Sequence, residues 1–228
     1  SRGVSYELGI NAINLRPGDR LGHTEYCSNY ALVQAVTGKD PRTDTSAWAD
    51  FQEAWAFDFV WTVNDGPVDW SNGRVTDMGH AEFLEGGVDR RDAATCPFTD
   101  VEDVYAFDAV EEYGLPDFDE LAAYYENWYQ NGRRANPNLV HPGGYYKTIV
   151  SGAIQSFGWD MLLEAAADQH RFDNVLESFF QRTLYHVKAQ AKTSIEVFLQ
   201  HDDMVWTQGA FVHPDFYRSA IFPRYKKL

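Results

Sequence analysis

A chain of 228 residues is long enough for one domain, and 44% hydrophobic residues with 15% aromatics supply an ample core. A formal net charge of −15 argues against a nucleic-acid-binding surface, because no basic stripe is present, and Arg133-Arg134 and Lys226-Lys227 fall where helices are expected to end. Two cysteines, Cys27 and Cys96, exclude a disulfide framework and a zinc knuckle; no apolar run reaches the roughly 18 residues of a membrane span, and the expected compartment is the cytoplasm.

Residues 1–19 predict a short helix with Ile10, Ile13 and Leu15 on one side, closed by Arg16-Pro17-Gly18-Asp19. Arg20–Tyr26 predicts a strand that delivers His23 and Glu25 on one face. Helices follow over 29–36 and 48–55, then a second strand, Phe57–Val63, ends in Asn64-Asp65-Gly66-Pro67. The glycine-rich stretch 66–100, with Asp77 and His80, predicts a lid, a hairpin or a surface loop. Asp119–Gly132 predicts a helix on the spacing of Leu121, Tyr124, Tyr125, Trp128 and Tyr129. Asn138–Val140 predicts a short strand delivering His141-Pro142-Gly143-Gly144-Tyr145-Tyr146. Helix and turn alternate over 147–167, and Asp173–Lys192 predicts a long amphipathic helix. The strand around Ile195, Val197, Phe198 and Leu199 runs into His201-Asp202-Asp203. A loop with Gly209 follows, and His213-Pro214-Asp215 opens a last helix reaching Tyr225. Strands separated by helices imply parallel pairing through crossovers, an α/β fold in one domain over 1–228.

Polar residues at the carboxyl ends of such strands are the candidates for chemistry. His201, Asp202, Asp203 and Glu25 are the candidate catalytic groups, the alternative for the trio being a loop anchor in which an Asp caps a turn. His23, Glu25 and His201 form a mixed nitrogen–oxygen set suited to zinc or another transition metal if they converge; otherwise His23 is a core histidine with a carboxylate partner. Trp61, Asp65, His80, His141, Tyr145 and Trp206 are the candidate substrate-binding residues, with Trp70 a further aromatic near the mouth. Gly143-Gly144 offers either backbone amides to an anion at a helix start or a plain tight turn. His170 and His186 read as helix surface or edge residues.

Four segments resemble one family in order and spacing: Ala12-Ile13-Asn14-Leu15-Arg16-Pro17-Gly18-Asp19-Arg20, Ala35 to Pro41, His141-Pro142-Gly143-Gly144, and His201-Asp202-Asp203 through Ile221-Phe222-Pro223-Arg224-Tyr225-Lys226. Together they are similar to the uroporphyrinogen-decarboxylase-like proteins along the whole chain. The resemblance implies a TIM (β/α)8 barrel, incomplete here at about its first two-thirds, with lyase or methyltransferase chemistry at the mouth. The corrinoid-dependent methyltransferase branch would bring zinc and a corrinoid protein as partner, with its zinc ligands in the part of the barrel beyond this chain. The chain departs from the true decarboxylases in two places. Glu25-Tyr26-Cys27-Ser28-Asn29-Tyr30 stands where they carry an arginine-rich loop, and Val60-Trp61-Thr62-Val63 stands where they carry an aspartate. The expectation is therefore a divergent enzyme on another small molecule, forming a homo-oligomer such as a dimer. The alternatives are a cobalamin-dependent methyltransferase-like protein and a non-catalytic binding or assembly fragment with open strand edges.

Overall fold

The computed structural model describes residues 4–68, 72–76 and 96–228, so Trp70, Asp77 and His80 lie outside the described residues. The chain folds as two compact units. One comprises Ser1–Val63, Ala123–Gly144 and Thr193–Leu199; the other comprises Asn64–Ala122, Tyr145–Lys192 and Gln200–Leu228. The architecture is α/β, dominated by helices with few short strands.

In the first unit, α1 (Tyr6–Ile13) starts where the Ser5 side chain accepts from the Leu8 N–H, and α2 (Tyr30–Thr37) where Asn29 accepts from that of Leu32. With α3 (Ser46–Ala54), α2 closes over Val33, Ala47, Phe51, Phe57 and Leu139. Extended segments lie beside this core in chain order. The Asp58 N–H donates to the His23 carbonyl at 2.8 Å. The Val140 N–H donates to the Asp58 carbonyl and the Val60 N–H to the Val140 carbonyl, both at 3.0 Å, around a parallel bridge of Phe59 with Val140. The Gly143 N–H donates to the Val197 carbonyl at 2.7 Å.

The strands expected over 20–26 and 57–63 are thus reduced to single pairings, and the cause is Asp58. Its buried carboxylate accepts Arg20 Nη1 at 2.5 Å, Arg20 Nη2 at 2.7 Å, the Ser5 N–H at 3.1 Å and the His23 N–H at 2.9 Å. A side chain therefore holds the amide that a regular ladder would use. Within this row, regular pairing occurs between β1 (Gly143–Tyr145) and β2 (Phe198–Gln200). Gly143-Gly144 is accordingly strand, neither tight turn nor helix start. A Cβ on Gly144 would lie 2.7 Å from the Leu199 carbonyl oxygen, so only glycine lets the strands approach this closely.

The second unit is built on α4 (Val101–Tyr105), α5 (Ala109–Tyr113), α7 (Ile149–Ala166) and α8 (Gln169–Gln190). Between α5 and β1 in the chain, α6 (Phe118–Ala135) ends on Arg133-Arg134, cations placed at the negative end of the helix dipole. The core of the second unit is aromatic: Phe107 stacks on Phe179 at 5.7 Å, and Phe157 meets Phe98, Phe107, Phe172 and Phe179 edge-on. After the hairpin β3 (Val205–Trp206) and β4 (Gly209–Ala210), the chain enters α9 (Pro214–Phe216), a π-helical turn over Tyr217–Ile221, and α10 (Phe222–Tyr225). Pro223 accounts for the π turn, since it has no N–H to give and its ring would meet the carbonyl four residues back in a regular α-helix. Arg224, buried, fastens this end to α8 through Asp173 and Glu177, each at 3.0 Å.

Candidate functional site

Three chain segments that follow the extended stretches meet around Tyr146 in the second unit. Asp65 Oδ1 accepts the N–H groups of Tyr146 at 2.7 Å and Lys147 at 3.1 Å. The buried Tyr146 ring lies on His201, centroids 4.5 Å apart and tilted 34°. Its hydroxyl donates to Asp203 Oδ2 at 3.0 Å. Thr148 Oγ1 donates to the His201 carbonyl at 2.8 Å, which fixes the two loops to each other. Burial, and then the negative charge of Asp203, push the Tyr146 hydroxyl above its ordinary range, so it remains a phenol that donates. Asp203 Oδ1 accepts no hydrogen bond and faces no cation among the described residues, and the residue is half-buried. A carboxylate with one oxygen oriented and the other open, beside an imidazole, is equipped to take and return a proton.

Asp202 is committed elsewhere. Thr148, the residue before α7, makes no side-chain cap, and Asp202 caps the helix in its place. Its carboxylate accepts from the Val150 N–H at 3.0 Å, the Ser151 N–H at 2.5 Å, Ser151 Oγ at 2.7 Å, the Asp203 N–H at 3.1 Å and the Tyr225 hydroxyl. Burial pushes this carboxyl above the ordinary carboxylate range, against the pull of those donors.

Other expected residues occupy other places. His23 Nε2 and Glu25 Oε1 are 3.4 Å apart in the first unit, with His23 Nδ1 3.0 Å from the Trp55 carbonyl oxygen. His201 belongs to the second unit. No group of three or more His, Cys, Asp or Glu able to hold a metal occurs among the described residues. His141 Nε2 lies 2.9 Å from the Asn136 carbonyl oxygen, and burial lowers its pKa. Trp61 and Trp206 are 43% and 58% exposed, and Trp206 stands on the hairpin that follows Asp203.

Tyr145 is fully buried, stacked on His186 at 4.4 Å and accepting Arg182 Nη1 at 2.6 Å. His186 is therefore not the surface residue expected. It is 0% exposed, and burial followed by the positive charge of Arg182 lowers its pKa to about 3. Ser178, Arg182, His186 and Gln190 are all buried on α8, and their spacing of four was the legible sign that they share one face. No family model, curated protein or solved structure matches the chain.

Proposed function

We propose that the chain is a small-molecule enzyme of the uroporphyrinogen-decarboxylase-like kind, a (β/α)8-type scaffold working by proton transfer at the carboxyl ends of its strands. The Asp203 carboxylate carries this reading: Tyr146 orients one oxygen, the other is open, and the His201 ring lies against the same phenol. The chain-order row of extended segments supports the barrel scaffold, because consecutive strands are neighbours in such barrels. In a decarboxylation, carbon dioxide leaves its bonding pair on the substrate carbon, and a proton held by Asp203 or His201 completes that carbon. Four-carboxylate porphyrinogens are a poor fit, since the Arg20 guanidinium is engaged by Asp58 and the loop after it brings no other arginine. A smaller carboxylic acid suits the site better. The described residues offer no ligand set for zinc.

The test is carbon dioxide release from a panel of small carboxylic acids. Wild-type turnover of at least one member is expected, with kcat lowered about 100-fold or more in Asp203→Asn. Turnover unchanged in Asp203→Asn, or no release from any member, overturns the reading.

A further inference from the structure

Asp203 stands on no helix or strand of its own; it lies in the loop between β2 and the β3–β4 hairpin. Its N–H is held twice, by Ser151 Oγ at 2.9 Å and by Asp202 Oδ1 at 3.1 Å, so its placement follows theirs. Asp202 is gripped on both oxygens. Oδ1 accepts from the N–H and Oγ of Ser151, and Oδ2 from the Val150 N–H and the Tyr225 hydroxyl. Among the described residues, Tyr225 is the one donor to this carboxylate from outside α7 and the loop itself. Thr148 and Gln200 lie beside the same hydroxyl, so the end of β2, the start of α7 and the loop converge on it.

Tyr225 is itself fixed in place. Its side chain packs against the aromatic core of the second unit, and its neighbour on α10, the buried Arg224, holds Asp173 and Glu177 of α8 at 3.0 Å each. A hydroxyl carried on an anchored helix keeps a loop carboxylate in one orientation. A reacting group needs that restraint, since misplacement by about 1 Å can cost about 100-fold in rate. We propose that Tyr225 is a positioning residue: through Asp202 it holds the Asp203 carboxylate against Tyr146, where proton transfer is assigned. Its consequence for turnover rests on that assignment; its hold on the loop does not.

Tyr225→Phe keeps the ring and removes only the hydroxyl. Amide hydrogen exchange of the full chain is expected to quicken about 10-fold or more at Ser151 and Asp203, because a donor to the carboxylate that holds both amides is lost. Exchange at Val175 and Phe179, buried in the middle of α8, is expected to stay as in wild type. With a small carboxylic acid that the wild type decarboxylates, kcat is expected to fall about 10-fold or more at constant KM. In an Asp203→Asn background, Tyr225→Phe is expected to cost nothing further, since the group it positions no longer carries a proton. Unchanged exchange at Asp203, exchange quickened equally along α8, or an equal loss of kcat in both backgrounds overturns the proposal. Quickened exchange at Asp203 in a chain that decarboxylates no acid counts against the catalytic reading alone.

Discussion

Asp202 and His186 show how burial sets the behaviour of single ionisable residues in opposite directions. The Asp202 carboxyl is raised by burial, so between the ordinary carboxylate value and its raised value the folded chain holds a proton that the unfolded chain has released. That residue's contribution to stability is therefore complete at low pH and declines as pH rises through this window. Asp202→Asn is expected to flatten this slope in urea titrations. It also points an amide donor at the donors of Val150 and Ser151, at a cost of about 1–3 kcal/mol. An unchanged slope would show that Asp202 does not control it. His186 works the other way. Its pKa falls to about 3, so below the ordinary imidazole value the unfolded chain takes up a proton that the folded chain refuses. Stability is lost as pH falls through that window, at about 1.4 kcal/mol for each pH unit. His186→Phe keeps a ring against Tyr145 and is expected to remove most of this acid sensitivity; a variant as acid-sensitive as wild type would refute the assignment.

At the scale of elements, α7 depends on one residue. Gly158 sits inside it at φ 70°, ψ 180°, a conformation essentially confined to glycine, and breaks the helix into two segments. Gly158→Ala is expected to lower unfolding free energy by about 1–3 kcal/mol, read as a reduced denaturant midpoint at constant m-value. An unaffected midpoint would show that the kink relaxes freely. The long helices were legible because their apolar spacing is periodic: α6 and α8 fall within a few residues of the expected ranges. The extended segments were legible in position but not in regularity, because no local signal announces that Asp58 claims the amides of Ser5 and His23 across 53 and 35 residues. The candidate site was half legible for the same reason. His201 and Asp203 stand at a visible strand end, whereas Tyr146, which orients them, is 57 residues from Asp203 in the chain. The capping role of Asp202 was likewise hidden, since its helix starts about fifty residues earlier in sequence.

At the scale of the whole molecule, the net charge of −15 opposes compaction. Exposed pairs such as Arg42–Asp40, Arg171–Glu102 and Arg218–Asp215 recover little of this, because each attraction is weakened by water and by the entropy of long side chains. The pair held by Arg20 on fully buried Asp58 is the one best shielded from solvent ions, and those of Arg224 are shielded on the guanidinium side. Added salt therefore screens mostly repulsion among the surplus carboxylates and leaves the enclosed attractions in place. Raising ionic strength from about 0.01 M to about 0.15 M shortens the screening length from about 30 Å to about 8 Å. The expected result in calorimetry is a Tm that climbs by about 2–4 °C, the equivalent of about 1 kcal/mol for a chain of this size. The same experiment in sodium sulfate at matched ionic strength separates screening from salt effects on apolar burial, which sulfate strengthens more than chloride. A Tm that falls with sodium chloride would mean that exposed ion pairs contribute more to this molecule than its surplus negative charge subtracts.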